Sequence, residues 1–216
     1  MAEAEATLEA PGAEEDETSS LGMWTFLATE VLFFGALFAA YTVYRLTFPE
    51  AFAEASHHLY LSIGATNTGV LLVSSLTMAL AVHVSAAHGQ TEEARPRRKL
   101  LGLLLVTAAL GAVFLGLKGV EYFLDWRERL VPGPGFREVW SANPRHAQLF
   151  MVLYFIITGL HAVHLTIAVG LVLLFALLIW RRKLARLPVR VEMLGLYWHF
   201  VDVVWVFLFP LLYLVE

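Results

Sequence analysis

Five long apolar segments constrain most strongly what this chain can fold into. They cover roughly residues 21–46, 59–88, 100–124, 147–180 and 191–215. A helix needs about 20 mostly apolar residues to cross a bilayer. Backbone groups in hydrocarbon have no water to bond with, so a spanning segment of this length is a helix. The pattern predicts an all-α integral membrane protein, a bundle of five transmembrane helices.

The composition agrees with a membrane location and excludes several classes of site. Hydrophobic residues make up 58% of the chain and charged residues 16%, whereas soluble domains carry about 25% charged residues. The chain has no Cys, which excludes disulfides, thiolate metal sites and iron–sulfur clusters. No basic aromatic surface is left for nucleic acid, so we expect no nucleic-acid partner.

The charged residues predict the domain limits and the orientation. The first 17 residues hold seven Asp or Glu and no Lys or Arg, so residues 1–20 are predicted to be an acidic disordered tail before a transmembrane domain of residues 21–216. The connections after the second and fourth segments carry nine Lys or Arg, and the opposite side carries five. Because cytoplasmic loops are enriched in basic residues, we expect a cytoplasmic N-terminus and an external C-terminus.

Glu30 lies about ten residues into the first apolar segment. A carboxylate at that depth is protonated, paired or in contact with water. At helical spacing it shares a face with Phe34, Leu37 and Tyr41. Two interpretations remain open: a proton-accessible or reactive carboxyl, and a neutral acid hydrogen-bonded to a neighbouring helix.

The second and third segments carry polar and small residues that suit helix packing. The second is rich in Thr, Ser and Asn, whose side chains can bond across helices. In the third, Ala108, Ala112 and Gly116 form a small-residue ridge, which predicts a close helix neighbour. Lys118 and Glu121 then follow at i, i+3. That spacing favours an ion pair, which we interpret as structural rather than catalytic.

Two histidines, His161 and His164 in TGLHAVHL, lie in the middle of the fourth segment. Their spacing places them on one helix face, where a metal or haem site, a proton relay or a hydrogen-bonded strut could form. A metal ion would need a further ligand, and no HExxH, Cys pair or Glu-rich core accompanies the pair. We therefore interpret the histidines as a strut or a lipid contact and expect no metal. The candidates for a further ligand are Glu30, Glu121, His199 and Asp202.

The last segment contains His199 and Asp202, again at i, i+3 and flanked by Trp198 and Trp205. A carboxylate beside an imidazole orients the ring, so this spacing predicts a pair. The pair would act as a proton antenna or tie this helix to a neighbour, and we favour the tie.

Several motifs together resemble one known family. They are GMWTFLATEVLFFGALF, ATNTGVLLVSSLTMALA, LKGVEY, YFIITGLHAVHLTIAVGLVLL and YWHFVDVVW. In this order they are similar to the last five helices of subunit III of haem-copper oxidases, over about residues 21–215. YWHFVD and TGLHAVH are the most specific of them.

The resemblance implies a non-catalytic subunit III of a proton-pumping terminal oxidase that passes electrons from cytochrome c to O2 in the bacterial plasma membrane. Subunits I and II would be its partners and hold the haem and copper, while this chain would carry no cofactor apart from bound phospholipid. Members of the family stabilise subunit I and support proton uptake. The alternatives are subunit III of a quinol oxidase and a five-helix accessory subunit of a nitric oxide reductase.

The resemblance also assigns expected roles to individual residues. Glu30, in ATEVLFF, matches the family's carbodiimide-reactive glutamate and is the candidate carboxylate for a role in proton uptake. No catalytic residue is implied. Many members have seven helices, and this chain matches the five-helix bacterial type, so a partner would have to complete the family's lipid cleft. The positions that match polar helix–helix and lipid contacts of the family are Glu121, His161, His164, His199 and Asp202.

Overall fold

A computed structural model describes residues 13–88, 94–136, 140, 142–182 and 187–214. These residues form six α-helices and no strand. The helices are α1 (Ala13–Thr47), α2 (Pro49–Ser56), α3 (Leu61–His88), α4 (Ala94–Arg127), α5 (Pro144–Trp180) and α6 (Leu187–Tyr213). All except α2 are long and apolar enough to cross a membrane. The predicted all-α fold with five membrane spans is confirmed.

The first helix begins earlier than the apolar pattern indicated. Helix α1 starts at Ala13, so residues 13–20 of the predicted disordered tail are helical. Three of these eight residues are Glu, which is a strong helix former. The rest of the predicted tail, residues 1–12, lies outside the described residues.

Helix α2 occupies the connection between the first two spans, where the apolar pattern predicted no helix. Pro49 stands at its start, a position that suits the fixed φ of proline. Phe52 is fully buried and packs against Tyr41 of α1 and Phe150 of α5, with ring centroids 5.5 and 5.3 Å apart. The short helix therefore joins one end of α1 to α5.

The five spans differ in how much of their surface the bundle covers. Helix α6 is the most buried span and packs on α3 and α5. Helix α1 is the least buried span and touches α5 and α6 along only part of its length. The edge position of α1 leaves a cleft beside it, into which Glu30 projects.

Helix α4 meets its neighbours along a different line from the predicted small-residue ridge. Ala112 and Gly116 of that ridge are exposed. The close approach occurs instead at Gly111, where a Cβ atom would lie 2.8 Å from Val169 of α5 and from Trp198 of α6. Ala108 of the ridge is buried, so the predicted close neighbour is present but lies beside the ridge rather than along it, because small residues occur on both the exposed and the buried side of this helix.

Candidate functional site

Glu30 of α1 and His164 of α5 are in contact, although 134 positions separate them in the chain. The carboxylate Oε2 of Glu30 lies 3.1 Å from Nε2 of His164. The other ring nitrogen, Nδ1, lies 2.8 Å from the carbonyl oxygen of Leu160. A carbonyl only accepts, so Nδ1 carries a hydrogen and donates it.

This arrangement fixes the number of protons that the two side chains share. With Nδ1 as a donor, the contact between Nε2 and Glu30 needs one proton, held by the imidazole or by the carboxyl. Either location leaves the pair neutral overall, as an ion pair or as two uncharged groups. The pair is therefore a proton-holding site that avoids a net charge inside the membrane span.

The pair lies in an apolar cleft of about 560 Å³ between α1, α5 and α6. The cleft follows α5 from His164 to Phe175, which corresponds to about 16 Å of helix. Arg190, near the start of α6, contributes the one cation among its lining residues. Its walls are otherwise formed mainly by apolar and aromatic side chains, including Met23, Phe26, Ile167, Leu171 and Tyr197.

His161 does not share the environment of His164. It is almost completely buried, with its ring 5.6 Å from that of Phe114 and 5.1 Å from that of Trp205. Neither ring nitrogen has a hydrogen-bond partner among the described residues. His164 thus contacts α1 at the cleft, whereas His161 packs in the aromatic core between α4 and α6, so the two do not act as one strut.

Lys118 and Glu121 form the ion pair that their spacing predicted. The ammonium Nζ lies 3.1 Å from Oε2 of Glu121, and both side chains are buried. Nζ also donates to the hydroxyl of Tyr154 at 2.9 Å and to that of Tyr213 at 2.7 Å. The pair thereby ties α4 to α5 and α6, which agrees with a structural role.

Three members of this buried cluster were missed by sequence reasoning. Tyr154 and Tyr213 both donate hydrogen bonds to Oε1 of Glu121, and Asp125 lies one helical turn beyond Glu121 on the same face of α4. Asp125 could have been found from its i, i+4 spacing to Glu121. The two tyrosines could not, because tyrosines at the ends of membrane helices are ordinary interface residues.

His199 and Asp202 do not pair with each other, so that prediction was wrong. Nδ1 of His199 lies 2.8 Å from the hydroxyl of Ser75 on α3. Both carboxyl oxygens of Asp202 are buried without a hydrogen-bond partner among the described residues. The two side chains instead share a neighbour: Ser75 of α3 bonds to His199, and the Asp202 carboxyl lies beside the same Ser75 and beside Trp198.

The polar residues of α3 connect this helix to its neighbours. Thr68 accepts a hydrogen bond from the indole of Trp205 on α6 at 3.0 Å, and the hydroxyls of Thr77 and Thr107 lie 2.7 Å apart between α3 and α4. Together with the Ser75–His199 contact, these bonds agree with the interpretation of the polar residues as packing contacts.

Outside the membrane spans, Tyr60 donates a hydrogen bond to Glu128 just beyond the end of α4. That bond raises the pKa of the Tyr60 hydroxyl to about 12, and the negative charge of Glu128 acts in the same direction. The neutral phenol is thus favoured in the folded protein.

We expect the contact to stabilise the fold fully below the unfolded pKa of Tyr60, 10.0, and to be lost as pH rises toward about 12. Tyrosinate absorbance should be titrated in the wild type and in Tyr60→Phe. The difference between the two curves should show one phenol with a midpoint near 12. A midpoint at the unperturbed value would contradict the proposed bond.

The described residues contain no group of three His, Asp or Glu side chains placed to hold a metal ion. His161, His164 and His199 lie in three separate environments. The polar groups of the bundle can hold protons, at the Glu30–His164 pair and in the cluster around Lys118. The apolar cleft beside the Glu30–His164 pair can hold an apolar ligand.

Comparison with known proteins gives a consistent result. The family model for cytochrome c oxidase subunit III matches residues 142–216. Cytochrome c oxidase subunit 3 of Thermostichus vulcanus is 33% identical over 93% of this chain and 89% of its own length. The Synechocystis protein of the same name is 34% identical over 89% of this chain and 74% of its own length. A probable quinol oxidase subunit 3 of Staphylococcus haemolyticus is 26% identical over 93% of this chain and 90% of its own length.

Proposed function

The chain belongs to the cytochrome c oxidase subunit III family, and from that premise we propose that it packs beside subunits I and II of a haem-copper oxidase and stabilises subunit I. It is a multi-pass membrane subunit of an oxidoreductase complex. Subunit III itself holds no redox centre, so the haem and copper belong to its two partners. Residues 21–216 form the transmembrane domain in this proposal.

The proposed electron donor is cytochrome c. The support is the naming of the two relatives with more than 30% identity as cytochrome c oxidase subunits. A quinol donor is the second candidate, because relatives named as probable quinol oxidase subunits cover the chain equally well at lower identity. All of these relatives are bacterial, which supports the plasma membrane as the location.

The described basic residues support the proposed orientation. One end of the bundle, where α3 and α5 finish and α4 and α6 begin, carries the larger number of them. This excess favours a cytoplasmic location for that end and for the N-terminus. Its described basic residues are Arg97, Arg98, Lys99, Arg181, Arg182 and Arg190, against Arg45, Arg127, Arg129 and Arg145 at the opposite end.

The observation that carries the functional proposal is the Glu30–His164 pair at the cleft. While neutral, the pair holds one shared proton, and release of that proton leaves one negative charge on Glu30 beside the cleft. We assign it the role of buffering proton uptake for the catalytic subunit during turnover. The partly exposed side chains, 20% for Glu30 and 16% for His164, leave the pair accessible from the cleft.

The cleft itself suits one acyl chain of a phospholipid. Its walls are apolar over the stretch from His164 to Phe175, and Arg190 supplies a cation for a phosphate headgroup. A lipid seated there would cover the polar pair and fill the space between α1 and α5. Lipid is thus the proposed non-protein ligand of this subunit.

We expect Glu30→Gln to leave assembly and haem spectra intact but to shorten the active lifetime of the oxidase severalfold. Gln cannot take up the shared proton, so the pair loses its buffering function while keeping its size. The measurement is oxygen consumption of the purified complex over many turnovers. Glu192→Gln, at an exposed position of α6, is the matched control and should behave like the wild type. A normal lifetime for Glu30→Gln would refute the assigned role.

A second variant tests how much the pair contributes to the packing of α1. His164→Leu removes the base and also the edge-to-face contact with Phe34, whose ring centroid lies 5.2 Å away. We expect it to loosen the attachment of α1 and to lower the amount of this subunit that copurifies with subunit I. Loss of a haem signal from a fully assembled complex would contradict this expectation, because it would place a redox ligand in this chain.

A further inference from the structure

The Lys118 cluster contains two carboxyl groups and one ammonium group, and its hydrogen bonds tell the two carboxyls apart. Glu121 accepts from Nζ of Lys118 at 3.1 Å and from the hydroxyls of Tyr154 and Tyr213. Three donors, one of them cationic, converge on this carboxylate. Glu121 is therefore the ionised partner of Lys118.

Asp125 lacks such hydrogen-bond donors. All three hydrogens of the Lys118 ammonium are used, by Glu121, Tyr154 and Tyr213. The nearest donor atom to Asp125 is the hydroxyl of Tyr154, at 3.4 Å from Oδ2, and its single hydrogen points to Glu121 at 2.9 Å. The second oxygen, Oδ1, has no partner among the described residues.

A proton bound to Asp125 itself resolves the lack of hydrogen-bond donors to its carboxyl group. A hydroxyl oxygen can accept two hydrogen bonds, and that of Tyr154 accepts one from Lys118, so it has room for one from a protonated Asp125. The cluster would then hold one positive and one negative charge. Without the proton it would carry a net negative charge in a fully buried place, which is strongly unfavourable.

The surroundings of Asp125 enclose it but leave one side near water. Its side chain is fully buried, and the chain folds back over this end of α4 through a hydrogen bond from the Leu130 amide to the Asp125 carbonyl, with Leu130 also fully buried. Just beyond the end of α4 lies Glu128, which is exposed and bonded to Tyr60. Several titratable groups surround Asp125. They are Lys118, Glu121 and Tyr122 on α4, Glu128 beyond its end, Tyr154 on α5, Tyr213 on α6 and Tyr60 before α3.

We propose that Asp125 is a proton-binding site: a neutral carboxylic acid that donates to Tyr154 and exchanges its proton with water through Glu128 and Tyr60. This site is separate from the Glu30–His164 pair, and it lies at the end of the bundle that carries the connection between α4 and α5. It does not depend on the role proposed for Glu30. The bound ligand is a proton, held at Oδ2 and shared with a tyrosine hydroxyl.

The test is infrared spectroscopy of the purified oxidase complex at neutral pH, in the region of the carbonyl stretch of protonated carboxylic acids. Asp125→Asn should remove one band from this region. Glu121→Gln should remove it as well, because Lys118 then needs Asp125 as its ionised partner. Glu128→Gln, which alters only the proposed exchange path, should keep the band but slow its shift on transfer to deuterium oxide. The proposal requires all three results.

The overturning results are equally specific. An unchanged band in an Asp125→Asn complex that still contains this subunit would show that Asp125 is ionised. Persistence of the band in Glu121→Gln would show that the protonation of Asp125 does not depend on the charge of Glu121, which contradicts the proposal. If Asp125→Asn fails to assemble, Asp125→Glu decides the matter: the acid band should persist at a shifted position, and an unshifted band would overturn the assignment.

Discussion

Replacement of Lys118 by Met should lower the stability of this subunit by about 3–5 kcal/mol, the usual cost of removing one member of a buried ion pair. Met keeps most of the volume but removes the bond to Glu121 on the same helix and the two bonds that join α4 to Tyr154 of α5 and Tyr213 of α6. It also leaves two buried carboxyls, Glu121 and Asp125, without a cation. The loss is large compared with the total stability of an ordinary domain.

Thermal denaturation of the subunit in the purified complex measures this effect. Lys99→Met is the matched control, because Lys99 is exposed at the start of α4. The double variant Lys118→Met with Glu121→Gln should recover part of the loss, since it removes the unpaired charge together with its partner. Equal stability of Lys118→Met and Lys99→Met would contradict the buried ion pair.

Gly111→Val should be the most disruptive apolar substitution in α4. The new Cβ would lie 2.8 Å from side-chain atoms of both Val169 and Trp198, closer than van der Waals contact allows. Overpacking of this kind usually costs about 1–3 kcal/mol, and we expect the upper part of that range because Trp198 is itself completely buried and cannot move aside.

The matched control for this substitution is Gly116→Val on the same helix. A Cβ at Gly116 would meet nothing within 4 Å, so this variant should denature within a few degrees of the wild type. Both variants should be followed by the temperature at which the tagged subunit leaves the detergent-solubilised complex. A wild-type temperature for Gly111→Val would show that α4 does not approach α5 and α6 at this point.

The membrane spans could be predicted because the bilayer sets the length of an apolar helix. The face of α1 could be predicted too: Phe34 and Tyr41, one and three turns beyond Glu30, are both buried. By contrast, the buried side of α4 could not be read from its apolar residues. Lipid tails are as apolar as a protein core, so apolar residues cover both sides of a membrane helix.

The contacts of the polar residues were harder to predict than their presence. The sequence contains Glu30 and His164, but no local spacing relates two residues on different helices. The i, i+3 spacing of His199 and Asp202 suggested a pair, but His199 is hydrogen-bonded to Ser75 of α3 instead. Spacing within a helix shows which side chains are neighbours on that helix, whereas tertiary packing decides which of them bond to each other or to another helix.

If this chain is subunit III of a haem-copper oxidase, the proteins that copurify with it must include the haem-bearing subunit I. A tag on this chain should be used to purify whatever it binds from native membranes in mild detergent, followed by a reduced-minus-oxidised spectrum. We expect an a-type haem signal together with a large polytopic partner. Only b- and c-type haem would favour a nitric oxide reductase or a different oxidase, and the absence of any haem would contradict the claim.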